Sequence, residues 1–343
     1  MIIDCHGHYT TAPPQLQRFR DRQLGGDVDA SLEPISDAEL RESVERNQLR
    51  VLRERGGDMM LFSPKASGME HHLPDQDMAR RWAEVSNDLI ARVVDLDPDH
   101  FAGVAQLPQT PSGDLGSSVS ELRRCVEQLG FVGCNLNPDP SGGAWSGEPL
   151  THERWFPLYE AMCELDVPAM IHVSSSCNPN FHTLGAHYLN ADTAVFMQLL
   201  QSDLFERFPE LRFVIPHGGG AVPYHWGRYQ GLSTRLGLQP IEERLLDNVY
   251  FDTCVYHQPG IELLLKVVGI DNLLFASEML GAVRGENPAT GSGWDDTKRY
   301  VDAVGLEESA AQRLFEGNVR RVYPRLDARL RSRYAGSGRR MDA

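Results

Sequence analysis

The sequence predicts a (β/α)8 barrel of the α/β class, because eight short apolar segments alternate with amphipathic segments along the chain. Its 343 residues suffice for one such barrel with insertions, and no shift in composition divides them. An open doubly wound sheet is the alternative, but no glycine-rich phosphate-binding fingerprint follows the first strand. We therefore expect one distorted barrel domain over residues 1–333 and a flexible tail over 334–343.

Each predicted strand is a short apolar run bounded by polar or turn-forming residues. The eight runs cover residues 1–4, 58–64, 101–108, 131–137, 167–173, 211–220, 248–254 and 272–278. Helices are predicted where apolar residues recur every three or four positions. They cover residues 36–54, 77–96, 117–129, 153–165, 192–206, 296–303, 307–315 and 317–323. Two further segments, 10–34 and 174–191, follow strand ends, so we expect them to be loops over the catalytic face.

Composition excludes several classes of partner. The chain has 33 basic and 48 acidic residues, a net charge of −15, whereas nucleic acids and anionic membranes need a basic face. No run of 18 apolar residues predicts a membrane span, and no secretory signal is visible. The six cysteines are dispersed without CxxC spacing, which favours free thiols in a reducing cytoplasm.

Polar side chains stand at the carboxyl ends of four predicted strands. His6 and His8 follow the first strand, and His172, His217 and Glu278 end the fifth, sixth and eighth. Residues two apart in a strand point the same way, and the carboxyl ends of barrel strands share one face. We predict one divalent metal ion, Zn²⁺ or alternatively Mn²⁺, held by His6, His8, His172 and Glu278. Glu278 could instead act as a base, and we assign His217 to acid–base chemistry.

The longest motifs around these residues are distinctive. They are "MIIDCHGHYT", "GFVGCNLNPDP", "DVPAMIHVSSSCNP", "RFVIPHGGGAVPYHWGR" and "FASEMLGAVRG". With these motifs the chain resembles the amidohydrolase superfamily, in the branch of decarboxylases and hydratases, nearly from end to end. That branch carries HxH on strand one, histidines on strands five and six, and an acidic residue on strand eight. Hydrolases and decarboxylases usually have Asp there, so Glu278 agrees better with the hydratases.

The resemblance implies a metal-dependent hydratase of aromatic catabolism, in protocatechuate 4,5-cleavage. Such an enzyme adds water reversibly to the conjugated double bond of a small unsaturated tricarboxylate. Glu278 would orient or deprotonate the water, and His217 would exchange a proton with the neighbouring carbon or the enolate oxygen. The bridging lysine of binuclear relatives is missing from "VGCNLN", which favours a single metal ion. The branch is commonly dimeric or larger, so we expect a homo-oligomer.

Three rival functions remain open. A metal-dependent decarboxylase of an aromatic or semialdehyde carboxylate would use the same ligands. A hydrolase of lactones or amides is disfavoured by Glu278. A non-catalytic binding protein would have no need for so many polar strand ends.

A tricarboxylate also requires cations and hydrogen-bond donors at the barrel mouth. The candidates lie in segments that follow strands two, five and eight. We predict that the substrate is bound by Lys65, Ser67, Asn178, Tyr188 and Arg284.

Overall fold

Eight parallel strands form one sheet in chain order, with each strand hydrogen-bonded to the next. The computed structural model describes residues 1–27, 29–73, 75–182 and 185–337. The strands are β1 (Ile3–Tyr9), β2 (Met59–Pro64), β3 (Phe101–Gln106), β4 (Gly133–Leu136), β5 (Ala169–Ile171), β6 (Phe213–Ile215), β7 (Val249–Asp252) and β8 (Leu273–Leu274). A two-stranded antiparallel hairpin, β9 (Glu286–Asn287) and β10 (Ser292–Gly293), follows the eighth strand.

Helices connect the strands. They are α1 (Pro14–Leu24), α2 (Asp37–Val44), α3 (Arg50–Glu54), α4 (Gln76–Leu96), α5 (Gly116–Glu127), α6 (Phe156–Leu165), α7 (Gly185–Leu200), α8 (Leu204–Arg207), α9 (Trp226–Arg235), α10 (Ile241–Leu245), α11 (Gln258–Val267), α12 (Thr297–Val304), α13 (Glu308–Gln312), α14 (Asn318–Val322) and α15 (Pro324–Ser337). Among the described residues, no helix is long and apolar enough to cross a membrane.

The two ends of the sheet meet beside β1. The Cys5 amide donates to the Phe275 carbonyl at 3.0 Å, just beyond β8. One residue earlier, Asp4 accepts hydrogen bonds from the Ser277 amide and hydroxyl. These contacts curl the eight strands into a barrel, which confirms the predicted (β/α)8 class. Seven of the eight strands are shorter than predicted, and β8 keeps only two residues. The exception is β1, which extends beyond its predicted end to Tyr9 and so contains His6 and His8, which were expected to follow it.

Apolar side chains pack on both sides of the barrel wall. The inner cluster takes its residues mainly from the beginnings of the strands. It includes Ile3, Cys5, Met59, Leu61, Ala102, Val104, Val132, Met170, Val214, Tyr250 and Leu274. Tyr323 and Leu326 join this cluster and close the barrel at the end opposite the strand carboxyl ends. Polar residues therefore concentrate at the other, open end.

A bulge in β1 aims the first two histidines into the barrel. Between Asp4 and Gly7 the register with β2 shifts by one residue. Cys5 packs in the inner cluster, whereas Tyr9, at the same strand parity, packs in the outer one. On a regular strand, His6 and His8 would lie on the opposite face to the inward-facing Cys5 and would therefore point out of the barrel. The bulge lets both histidines follow an inward-facing Cys5.

Several predicted elements differ in detail. The predicted loop over 10–34 contains α1, and the loop over 174–191 gives way to α7, whose first residue is Gly185. The predicted helix over 36–54 is interrupted by a π-helical turn at Glu45–Leu49. The tail predicted over 334–343 begins inside α15, and residues 338–343 lie outside the described residues. Helices α9, α10, α11 and α15 were not predicted.

Gly7 should tolerate no side chain, because a Cβ there would overlap the Met60 side chain and lie 2.8 Å from the Leu61 carbonyl oxygen. We expect Gly7→Ala to lower the free energy of unfolding by about 1–3 kcal/mol, as overpacking does, and to reduce metal content. Chemical denaturation and metal analysis measure both. Gly147→Ala is the control, since its Cβ would meet nothing within 4 Å. Equal stability of the two variants would contradict the tight packing at the bulge.

Candidate metal centre and active site

Three imidazole rings converge at the open end of the barrel. The Nε2 atom of His8 lies 3.0 Å from Nε2 of His6 and 3.3 Å from Nε2 of His172. The three ring centroids are 4.9–5.1 Å apart. All three side chains are buried. The histidines predicted from two separate strands therefore meet at one point.

In two of these rings the Nδ1 atom, on the side away from the point where the rings meet, faces an oxygen atom that can only accept a hydrogen bond. His6 Nδ1 lies 2.8 Å from Oδ2 of Asp252, and His172 Nδ1 lies 2.8 Å from the Val173 carbonyl oxygen. Burial opposes ionisation of Asp252, but the hydrogen bond from His6 and nearby imidazoles lower its pKa overall. Each ring therefore carries its proton on Nδ1, and its Nε2 lone pair points inward.

The third ring, His8, is oriented through a serine. Its Nδ1 atom lies 2.8 Å from the Ser63 hydroxyl. That hydroxyl is within 3.2 Å of the Gly7 carbonyl and 3.1 Å of the Pro64 carbonyl, so it donates to one of them and accepts from His8. The Nε2 lone pair of His8 therefore also points to the meeting point of the rings.

Three lone pairs in such close contact need a cation between them. Burial, with the neighbouring imidazoles, holds the pKa of both His8 and His172 well below the usual range, so these rings are neutral ligands. Zn–N bonds of about 2.0–2.1 Å at tetrahedral angles place two nitrogens roughly 3.3 Å apart. The observed separations of 3.0 and 3.3 Å match this spacing. The residues present fit a divalent metal ion.

Glu278 and His217 complete the site. Ligand atoms of His6, His172, His217 and Glu278 all lie within 4.8 Å of one another, and all four residues are buried. The His217 Nε2 atom is 3.9 Å from Oε2 of Glu278 and has no hydrogen-bond partner among the described residues. The Tyr256 hydroxyl donates to the same Glu278 oxygen at 2.8 Å. One carboxylate and one free imidazole nitrogen therefore face the metal position.

His217 differs electrostatically from the other rings. Its Nδ1 atom is 2.9 Å from Oδ2 of Asp192. Burial disfavours the charged ring, but the Asp192 carboxylate, with Glu278 and Asp252, raises the His217 pKa to about 9. Burial raises the Asp192 pKa to about 6, which still leaves this carboxylate ionised at neutral pH. His217 is therefore suited to donate a proton, whereas His8 and His172 are suited to bind a metal.

The backbone is unusual where these side chains enter the site. His217, Tyr256 and Glu278 have φ angles of 52°, 57° and 48°, a left-handed conformation that residues with a Cβ rarely adopt. Such strain costs about 1–3 kcal/mol per residue and is concentrated at functional sites. The left-handed turns direct all three side chains to one point.

A cavity of about 480 Å³ opens above the metal position. Four of the predicted substrate-binding residues line it, namely Lys65, Ser67, Tyr188 and Arg284, together with His8, His172 and Glu278. Tyr188 belongs to α7 and not to a loop, and its ring stacks on His217 at 5.3 Å between centroids. Asn178 does not line the cavity; its side-chain amide instead donates at 2.7 Å to the carbonyl of Gly143, which lies in the segment after β4.

Sequence reasoning missed several residues of the site. Asp252 and Asp192 orient His6 and His217, and Tyr256 holds Glu278. Asp252 ends the seventh strand, so its position was a signal that could have been used. Arg20 also lines the cavity from α1. The proline at the start of "PQLQRFRDRQL" is typical of a helix N-terminus and could have predicted that helix.

The fold and the site together define a metal-dependent enzyme built on a (β/α)8 barrel, with imidazole and carboxylate ligands at the strand carboxyl ends. Residues 3–325 match the family model described as Amidohydrolase. The chain belongs to this amidohydrolase family.

Known proteins similar to the chain include two hydratases and a more distant decarboxylase. The 2-keto-4-carboxy-3-hexenedioate hydratase of Sphingobium sp. is 58% identical over 337 residues, covering 97% of this chain and 99% of the relative. The crystal structure of 4-oxalomesaconate hydratase from Rhodopseudomonas palustris is 52% identical, with a TM-score of 0.90 and coverage of 98% and 100%. A dihydroxybenzoic acid decarboxylase from Polaromonas sp., solved with bound manganese, is 20% identical, with a TM-score of 0.68 and coverage of 94% and 96%; it shares the fold.

Asp252→Asn should weaken metal binding. The amide has the same shape, but its NH₂ group cannot accept from His6 Nδ1, so the ring loses the partner that keeps Nε2 unprotonated. We expect metal affinity to fall about 10- to 100-fold, the usual effect of losing a partner of a ligating histidine. Titration of the metal-free protein with Zn²⁺ measures this change.

Asp97→Asn is the matched control for Asp252→Asn. Asp97 bonds His100 Nδ1 at the same 2.8 Å but outside the site. The metal affinity of the Asp97→Asn variant should equal that of the unsubstituted protein. An equal loss in both variants would show that the effect is not specific to the site.

Proposed function

We propose that the chain is a hydratase that adds water to the conjugated double bond of 4-oxalomesaconate, giving 4-carboxy-4-hydroxy-2-oxoadipate. The observation that carries this proposal is 58% identity over nearly the full length to a named 2-keto-4-carboxy-3-hexenedioate hydratase. The cavity supports it, since Lys65, Arg20 and Arg284 line a space next to the metal position. The reaction belongs to aromatic catabolism through protocatechuate 4,5-cleavage.

The decarboxylase alternative is not favoured. The named decarboxylases among the relatives are much less similar, at 27% identity over 255 residues for γ-resorcylate decarboxylase of Polaromonas sp.. Glu278 reaches further from the eighth strand than an aspartate, which agrees with a different task for this carboxylate. Three cationic side chains also exceed what one aromatic carboxylate requires.

His6, His8, His172 and Glu278 would hold the metal ion, for which Zn²⁺ is our first choice and Mn²⁺ the alternative. When bound, the metal supplies Lewis-acid chemistry that lowers the pKa of water from about 16 towards 7. Glu278 accepts a proton from the attacking water. The Tyr256 hydroxyl, 2.8 Å from Oε2, restricts rotation of that carboxylate during the transfer.

His217 handles the second proton. Its Nδ1–H is held by Asp192, and Nε2 has no partner in the part of the chain that the structure describes. Nε2 can therefore donate to the carbon beside the ketone, or to the enolate oxygen. In the dehydration direction the same nitrogen removes that proton. Stacking of the Tyr188 ring fixes the imidazole plane and limits the access of water.

Other properties of the protein follow as proposals from the same observations. All six cysteines are free, which supports a reducing compartment such as the cytoplasm. We keep the expectation of a homo-oligomer as a prediction. Sedimentation of the purified protein measures it.

Purified metal-loaded protein should remove the conjugated absorbance of 4-oxalomesaconate reversibly, because hydration breaks the conjugation. In D₂O, NMR should show a solvent deuteron on the carbon beside the ketone, with all carbons retained. Release of CO₂ would support the decarboxylase instead. No change in absorbance at full metal loading would overturn the proposed reaction.

Glu278→Gln and His217→Asn should each lower kcat about 10²- to 10⁴-fold, the usual contribution of a positioned acid or base. Glu278→Gln should also bind metal more weakly, whereas His217→Asn should keep its metal. Steady-state kinetics and metal analysis separate the two effects. Glu286→Gln, an exposed change on β9, should behave like the unsubstituted enzyme. Near-normal kcat in either site variant would remove its assigned role.

A further inference from the structure

Arg20 is a buried cation in the wall of the active-site cavity. It lies in α1, and only 1% of its surface is exposed. Gln17, one turn earlier on the same helix, also lines the cavity. Residues three apart share one face of a helix, so α1 presents this face to the active site. Arg20 therefore contributes to the wall of the active-site cavity while its side chain stays buried.

The hydrogen bonds of Arg20 are incomplete. Its Nη2 donates to the Met69 carbonyl at 2.9 Å, and its Nε is 3.5 Å from Oε2 of Glu70. The guanidinium also lies over the Trp82 ring, 4.8 Å from the centroid. Nη1 is buried and has no hydrogen-bond partner among the described residues. The Glu70 carboxylate makes a single long contact with Arg20, whereas bidentate pairing is the strong arrangement.

A buried guanidinium with an unsatisfied nitrogen is costly unless an anion completes its surroundings. Glu70 serves this purpose poorly, since 30% of its side chain is exposed and its backbone is left-handed, with φ at 46°. The cavity beside Arg20 is where the substrate would bind. A carboxylate of that substrate has the charge and planar shape that the guanidinium lacks.

We propose that Arg20 forms a subsite that binds one carboxylate of the substrate, an inference that rests on the proposed function. Arg20 is then the third cation of the cavity, with Lys65 and Arg284, for a substrate with three carboxylates. Glu70 occupies part of this subsite in the free enzyme and is replaced as the substrate enters. Helix α1 thereby contributes to substrate specificity.

A purely structural role for Arg20 makes a different prediction. If Arg20 served only to pair with Glu70 and hold the segment around Met69, then removing either partner would have the same effect. If Arg20 binds substrate, Glu70 competes with the substrate carboxylate, and its loss should not weaken binding. The two substitutions therefore distinguish the two roles.

The experiment compares KM and kcat for 4-oxalomesaconate in metal-loaded variants. Arg20→Gln should raise KM roughly 10- to 100-fold, the loss expected for a hydrogen-bonded charged contact, with kcat within about threefold. Arg20→Lys should recover part of the loss because it keeps the charge without the planar fork. Glu70→Gln should leave KM unchanged or lower. Thermal unfolding and metal content check that each variant is folded and loaded.

Arg18→Gln is the matched control, because Arg18 is on the same helix but half exposed and paired with Glu33. Its KM should equal that of the unsubstituted enzyme. A KM for Arg20→Lys and Arg20→Gln within twofold of that value would overturn the subsite, as would a Glu70→Gln variant with the same KM as Arg20→Gln. If the unsubstituted enzyme does not hydrate 4-oxalomesaconate, it is the proposed function that fails.

Discussion

The chemistry of this site depends on hydrogen bonds that fix the orientation of imidazole rings. Asp252 is central, because Oδ2 accepts from His6 while Oδ1 accepts from the backbone amides of Gly218 and Cys254. One carboxylate at the end of β7 thus connects a ring on β1 to the turn that follows His217. Since that carboxylate is fully buried, the hydrogen bonds are not weakened by competing water. Loss of this anchor would free the first ring and loosen the turn at the same time.

Backbone strain is the second requirement of the site. An extended residue after β6 or β8 would continue along the barrel wall, whereas the left-handed His217 and Glu278 turn inward. Local hydrogen bonds hold these turns: the Gly218 amide binds Asp252, and the Met279 amide binds the Ser277 hydroxyl. The strained turns lower the free energy of unfolding, and the closed barrel offsets that loss. The strain lies at the strand ends, where a barrel of this kind carries its site, and not within the sheet.

The sequence predicted the barrel and the convergence of His6, His8 and His172, because both depend on patterns of short range. Apolar runs mark the strands, and His6, His8 and His172 stand visibly at their ends. The sequence did not predict the direction of the histidine side chains on β1, because the bulge that sets this direction is defined only by the pairing of β1 with β2. The burial of Arg20 was equally hidden. Nothing local distinguishes it from Arg18 on the same helix, and only the packing of α1 over the cavity buries one of them.

Charge explains why such a site needs cations of its own. A chain with net charge −15 repels a tricarboxylate at long range. Salt screens that repulsion beyond about 8 Å, whereas charges in a partly buried cavity act with a lower effective dielectric. Lys65 and Arg284 are exposed but line the cavity. They therefore act on a bound tricarboxylate at short range, where the distant acidic charges are screened. A hydratase also retains every carboxylate of its substrate through the reaction, whereas a decarboxylase must release one as CO₂. A cavity that keeps a cation for each carboxylate is thus suited to the addition of water and poorly suited to the loss of CO₂.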